Sequence, residues 1–302
     1  ISVIMTFANM IDMLTVNPCI KPAMKASPHT FDSLLSDKLT TDMLPNFIYG
    51  SYTGLAVTVF GLVPTLTAMF GKSILPSLAE SCAKNDKKAM QSGLTKMLIV
   101  TSIIAIPAGM GIAVLSEHIL RFLFGSRETE IQVCIMPMSI LGIAVIFLAI
   151  ATPCFAILQT LGKPHKAIII MLAGVIIKLF LNIILIRQPI INISGAAIST
   201  LVSEVFICVL SVRSVCKMTD LKPKVSEIFV KPTYAAIMCS VTAILSHETL
   251  TKIAHLQINH RFVTLFSIGI GSTMYFFCLY LLCETPKNIV NYIFSKKNPQ
   301  NP

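Results

Sequence analysis

The chain has 302 residues, 54% of them hydrophobic and only 13% charged, with a mean hydropathy of +0.78 and a formal net charge of +10. Soluble domains carry about a quarter of their residues as charges, so this composition excludes an ordinary water-soluble enzyme. The basic residues sit in short segments beside apolar runs, without interleaved aromatics to stack on bases, so no nucleic-acid partner is expected.

The apolar runs predict an all-α fold: a polytopic membrane bundle of about eight transmembrane helices. A helix rising ~1.5 Å per residue needs about 20 apolar residues to cross a hydrocarbon core of ~30 Å. The first run, 1–16, carries Asn9 and Asp12, whose i, i+3 spacing puts them on one face. It opens at Ile1 without a charged leader or a cleavage site, and reads as the start of a fragment rather than as a signal peptide. The loop 17–46 follows. Within it Phe31, Leu34, Leu35 and Leu39 recur at helical spacing, with Asp32, Asp37 and Lys38 mostly on the other side, which predicts an amphipathic helix on the outer surface.

The second run, 47–71, is interrupted by Pro64, with Pro76 at its exit. Gly71, Lys72 and Ser73 imitate the end of a phosphate-binding loop, but that motif requires Gly where Leu66 stands. The third run, 97–116, contains Pro107 near Gly109 and Gly111. The segment SEHILRFLFG, Ser116 to Gly125, then repeats the amphipathic pattern and is expected to cap the outer end of the bundle. The fourth run, 131–162, holds Pro137 and Pro153; the fifth, 167–186, holds Lys178 and Asn182; the sixth, 188–212, holds Thr200, Ser203 and Glu204. The seventh, 226–246, is uncharged only from Pro232 to Ser246 and must borrow the turn around Phe229 to span. The eighth covers 262–283, and the tail from 286 to 302 is basic.

Orientation follows from Lys and Arg in the short connections. The segments after the second, fourth, sixth and eighth runs hold 15 of these residues and the opposite set 8. The first set is therefore expected in the cytoplasm, together with the C-terminus, in a multi-pass protein of the cytoplasmic membrane.

Ionisable residues inside spans cost a few kcal/mol at the bilayer centre, so they face the bundle interior, a watery pathway or a partner. Lys178 lies some ~13 Å below the outer surface by helix rise, too deep to snorkel easily. Glu204 is equally central in the next span, Asp12 lies nearer the outer end of the first, and Asn182 shares the Lys178 face. Two readings stand side by side: these residues line a substrate or ion pathway, or Lys178 and Glu204 form a buried ion pair that only fixes packing. Pro64, Pro107 and Pro153 are candidate hinges, because proline in a membrane helix frees backbone carbonyls and permits bends. The six histidines show no HExxH spacing and the nine cysteines no CxxC pair, so neither a catalytic metal, a cofactor nor an enzyme activity is expected.

Three stretches carry a family resemblance. Tyr49 to Asp86 (YGSYTGLAVTVFGLVPTLTAMFGKSILPSLAESCAKND), Ser116 to Gly125, and Ile157 to Thr200 (ILQTLGKPHKAIIIMLAGVIIKLFLNIILIRQPIINISGAAIST) resemble the second lobe of the multidrug/oligosaccharidyl-lipid/polysaccharide exporter superfamily. Within it, the Asn9-x-Ile11-Asp12 pattern is similar to that of the polysaccharide biosynthesis group containing stage V sporulation protein B, related to the MurJ/MviN lipid II flippases. The resemblance implies two six-helix lobes, often with two added helices. Residues 1–213 would then be the C-terminal lobe, 214–285 two additional helices and 286–302 a cytoplasmic tail, with an N-terminal lobe missing from this chain.

The implied activity is flipping of a lipid-linked oligosaccharide or peptidoglycan precursor across the membrane by alternating access, as in cell-wall synthesis or sporulation. Lys178 would meet the diphosphate, Asn182, Asn9 and Thr53 would bond sugar, and Glu204 or Asp12 would bind a coupling cation or proton. Membrane lipids are the further partners. One departure is that no predicted span contains Arg, whereas MurJ flippases are rich in cavity arginine. The alternatives are a cation-coupled multidrug exporter of the same superfamily and a non-transporting membrane scaffold or remnant.

Overall fold

The computed structural model describes residues 2–26, 43–84, 86–220, 226–253 and 260–282. Every regular element among them is helical. They are α1 (Ser2–Ala26), α2 (Leu44–Ser51), a π-helical turn π1 (Tyr52–Val57), α3 (Thr58–Phe60), α4 (Leu62–Ala83), α5 (Lys87–Val114), α6 (Ser116–Phe124), α7 (Glu128–Thr160), α8 (Pro164–Leu185), α9 (Ser194–Thr219), a second π turn π2 (Ser226–Val230), α10 (Lys231–Ile253) and α11 (His260–Leu282). Seven helical stretches among the described residues are long and apolar enough to cross a membrane. They match the second to eighth expected spans. The first falls on α1, whose side chains before Met10 lie outside the description, and it is not among the seven. The amphipathic stretch 27–42 and the tail from 283 also lie outside the described residues.

Boundaries shift for local reasons. The second span is one stretch, Leu44–Met69, interrupted by π1 and at Gly61, three residues before Pro64, whose missing N–H leaves the Phe60 carbonyl without its helical partner. The sixth span starts at Ser194, six residues later than the apolar run, because 186–193 forms turns around Pro189 and a left-handed Asn192 at φ 46°. The seventh does borrow the turn around Phe229: its apolar stretch runs from Ile228 to Thr251. The N-terminus of α5 is capped by Asp86, whose carboxylate accepts from the Ala89 N–H at 3.0 Å.

The central element is α7, which packs on α9, α5 and α4. It is buried along much of its length, from Ile131 through Leu141 and Ala149 to Leu158. Its crossing with α5 is a backbone contact. A Cβ on Gly142 would lie 2.5 Å from the Ala113 nitrogen and 2.9 Å from the Gly109 oxygen, so neither helix tolerates a side chain there. The Ser139 hydroxyl adds an interhelical bond to the Ala113 carbonyl at 2.7 Å. The nearby prolines lie inside continuous helices, Pro107 in α5, Pro137 and Pro153 in α7.

Beyond this core, α10 and α11 pack mainly on each other and α10 on α5, and the Tyr275 hydroxyl donates to the Ile103 carbonyl at 2.8 Å. An apolar cavity of about 690 Å³ lies where α5, α6, α10 and α11 meet. The short α6 buries Leu120, and its Arg121 binds Glu117 at 3.0 Å and Glu128 at 2.8 Å.

Most hydroxyls in these helices are satisfied at home. Thr53, Thr58, Thr152, Thr160, Ser240 and Ser267 each donate to a carbonyl one turn earlier in their own stretch of helix. This is the inexpensive way to carry Ser and Thr through hydrocarbon, because no partner helix is needed.

Candidate functional site

Three helices bring polar side chains to one buried point. From α1 come Asp12 and Thr15, from α8 Lys178 and Asn182, and from α9 Ser199, Thr200 and Ser203. The i, i+4 spacing of Gly174, Lys178 and Asn182 forms a single stripe along α8. The stripe opens with glycine because α9 leans on it: a Cβ on Gly174 would lie 2.4 Å from the Ile207 side chain, and Ser203 donates to the Gly174 carbonyl at 2.9 Å.

The Lys178 ammonium sits 2.7 Å from Asp12 Oδ2, with 8% and 7% of the two side chains exposed. Asn182 Nδ2 donates to Asp12 Oδ1 at 2.9 Å and to Thr15 Oγ1 at 3.1 Å. Its amide oxygen accepts from Ser199, which orients the amide so that the nitrogen faces Asp12. Thr15 in turn donates to the Ile11 carbonyl at 2.6 Å. Both carboxylate oxygens of Asp12 are therefore occupied, one by a charge and one by an amide. Tyr52, 1% exposed on π1, lies within electrostatic reach of Asp12 and beside the Thr200 hydroxyl.

This geometry corrects the expected pairing. Lys178 binds Asp12 on α1, not Glu204 on the neighbouring helix. Glu204 is half-buried; its Oε2 is enclosed without a hydrogen-bond partner, and Lys178 lies in its electrostatic range but beyond ion-pair distance. Thr53 stays outside the cluster, its hydroxyl spent on the Tyr49 carbonyl at 2.9 Å. The Asn9 side chain lies outside the described residues. The structure thus brings together Asp12, Lys178 and Asn182, and adds Thr15, Ser199 and Tyr52. Thr15 had a signal, lying three residues after Asp12 on its face; Ser199 and Tyr52 had none that separates them from the many hydroxyls bonded within their own helices. Among the described residues no group of three His, Cys, Asp or Glu side chains is placed to hold a metal ion.

Comparison with known proteins agrees with the membrane architecture. The family model described as "Lipid II flippase MurJ" matches residues 49–266. Among curated relatives, the probable low-salt glycan biosynthesis flippase Agl15 of Haloferax volcanii is 27% identical over 186 residues, 60% of this chain and 38% of that protein. Lipid II flippase MurJ of Bacillus subtilis is 27% identical over 136 residues, 45% of this chain and 25% of that protein. Stage V sporulation protein B of the same organism is 23% identical over 184 residues, 59% of this chain and 34% of that protein. The chain thus spans well under half the length of these relatives. Among solved structures, an inward-facing multidrug resistance MATE family transporter of the MOP superfamily matches 89% of this chain and 66% of its own at 15% identity, with a TM-score of 0.47. Since the family match runs through more than half of the sequence and takes in the helices that carry Lys178, Asn182 and Ser199, the chain is a multi-pass membrane protein belonging to the lipid II flippase MurJ family.

Proposed function

We propose that the full-length protein flips a lipid-linked oligosaccharide or peptidoglycan precursor across the cytoplasmic membrane, and that this chain supplies its C-terminal half. In this reading residues 1–213 form a six-helix lobe, 214–285 two appended helices and 286–302 a cytoplasmic tail. An N-terminal lobe closes the other side of the pathway, and the two lobes rock to expose it alternately.

The observation that carries the proposal is the Asp12–Lys178–Asn182 cluster, buried between spans of a chain that belongs to a flippase family. A bundle needing only stability gains little from an ion pair there, because apolar side chains of similar volume pack as well without the desolvation cost. A diphosphate-sugar headgroup, by contrast, crosses hydrocarbon only where a cation and hydrogen-bond donors replace its water. Lys178 provides the cation and Asn182 the donor. Glu204 would take a coupling cation or proton, a role supported by its enclosed oxygen without a partner.

The test is leaflet-specific labelling of a lipid-linked cell-wall precursor in cells depleted of the native gene and supplied with the full-length protein. Wild type should restore precursor in the outer leaflet, and Lys178→Ala at equal membrane abundance should not. If depletion leaves precursor exposure unchanged, the flippase reading fails and drug efflux becomes the next activity to assay.

A further inference from the structure

The two donors of the site and the acceptor they hold belong to different bodies of the bundle. Lys178 and Asn182 stand one turn apart on α8, and Asn182 is fixed through Ser199 to α9, whose Ser203 is bonded back to Gly174. Asn182 is therefore oriented from the α9 side, and Lys178 stands one turn away on the same face of α8. Its anion comes from α1, which packs chiefly against α8 and α2 and reaches the core through Val16, Cys19 and Ile20. The Asp12 carboxylate bridges the donors with one oxygen on each, at 2.7 and 2.9 Å. A phosphate group presents a pair of oxygens of the same kind to the same two donors, and charge-assisted bonds to it are at least as strong as to a carboxylate.

We infer that Asp12 is an internal stand-in for the anionic phosphate group of the cargo, and that α1 leaves the bundle when such an anion displaces Asp12 from Lys178. The carboxylate that Lys178 faces is that of Asp12, at 2.7 Å, so an anion arriving at the same donors competes with Asp12 for them. The exchange is also obligatory: withdrawing Asp12 with nothing in its place strands a buried ammonium, which is costly in a low-dielectric interior. Departure of α1 is thereby made conditional on an anion being present, which is what a transporter needs to avoid opening empty. Glu204 is a further carboxylate within electrostatic range of Lys178, and it does not reach ion-pair distance. This inference rests on the flippase reading for the identity of the anion, but its mechanism is read from the ion pair itself.

The test measures binding of inorganic pyrophosphate to the purified full-length protein, by calorimetry and by thermal shift. Asp12→Asn, which keeps the side chain's shape and removes its charge, should bind about tenfold tighter than wild type, since the competitor is gone. It should also melt lower without ligand and recover with it. Adding Lys178→Gln to Asp12→Asn should abolish the response, and adding Glu204→Gln should leave it intact or larger. Equal affinity of Asp12→Asn and wild type, or a gain that survives loss of Lys178, overturns the inference. A short-chain isoprenyl diphosphate is run in parallel. A larger response to it assigns the site to a lipid headgroup, and a larger response to pyrophosphate assigns it to a soluble anion; both support exchange at Lys178.

A second measurement needs no charge-removing variant at Asp12. Cys19 is buried on α1, 4% exposed, and pyrophosphate should accelerate its thiol labelling in wild type, read by peptide mass spectrometry, but not in Lys178→Gln. Unchanged labelling at Cys19 overturns the inference. Wild-type transport together with no change at Cys19 defeats the exchange while leaving the flippase intact; exchange at Cys19 without precursor flipping defeats the function and leaves the exchange.

Discussion

Two helix crossings in this bundle are built on opposite principles. Where α5 meets α7, the backbones touch at Gly109 and Gly142, and a hydroxyl on Ser139 finishes the contact. Dispersion and close fit hold that crossing, and neither is replaced by anything a cargo brings, so it is a permanent joint. Where α1 meets α8, an ion pair and an amide bridge the helices, and under the proposed exchange an outside anion takes over the bonds of Asp12. Small residues thus mark what stays together, and buried charge marks what can be exchanged.

The strongest way to break this contrast is to unpair the charges. Lys178→Ala or Asp12→Ala leaves its partner buried and uncompensated and should destabilise the full-length protein by ~3–5 kcal/mol, whereas the double substitution should cost clearly less than the sum of the two single losses. A double-mutant cycle on thermal unfolding in detergent measures this; additive losses would mean that the pair does not couple α1 to α8.

Next in size is Gly142→Ala. Its new Cβ would meet main-chain atoms of Ala113 at 2.5 and 2.8 Å, which cannot rotate away, so a loss at the upper end of ~1–3 kcal/mol is expected. Gly174→Ala sharpens the comparison, because there the obstacle is a side chain, Cγ1 and Cδ1 of Ile207 both at 2.4 Å, which can shift where main chain cannot, and the cost should be lower within the same ~1–3 kcal/mol range. Reversal of that order in melting temperature would show that the α5–α7 joint is looser than its geometry.

Removing the hydroxyl that orients the site, Ser199→Ala, should cost only ~0.6 kcal/mol of stability, the average for interhelical hydrogen bonds in membranes. It should nonetheless reduce headgroup transport, since Asn182 is then free to turn. Equal transport at equal abundance would remove Ser199 from the positioning role.

The smallest effect concerns α6, outside the spans. Burial pushes the His118 imidazole below its ordinary range, Glu117 partly opposing and Arg121 adding to the shift, and its ring lies 3.7 Å from that of His247 on α10. The folded state therefore prefers neutral His118. Its contribution is present above the ordinary histidine range and is lost as pH falls from there toward the lowered value. Hydrogen exchange across α6 should rise on mild acidification, and His118→Phe should remove that rise.

Much of the fold was legible in the chain because hydrophobic length is a property of each segment alone. The short seventh span shows this: its deficit of uncharged residues pointed to a turn at Phe229, and π2 supplies it. Segment ends that depend on backbone detail are not written in hydrophobic length. Pro189 and the left-handed Asn192 delay α9 to Ser194, and the second span also carries a π turn, π1, that no residue pattern announces.

The candidate site divides in the same way. Sequence alone determined which ionisable residues lie in apolar spans, since the insertion cost of Asp12, Lys178 and Glu204 follows from composition and depth. It also fixed the shared face of Lys178 and Asn182, which is a matter of helical spacing. Only the tertiary structure decided that Lys178 belongs to Asp12, 166 residues away, rather than to Glu204 on the next helix. The physical reason is that an ion pair forms within about 4 Å, so its partner is chosen by the rotation and crossing of whole helices. Those are set by where Gly174 lets α9 approach and by how α1 docks, and no local pattern contains them.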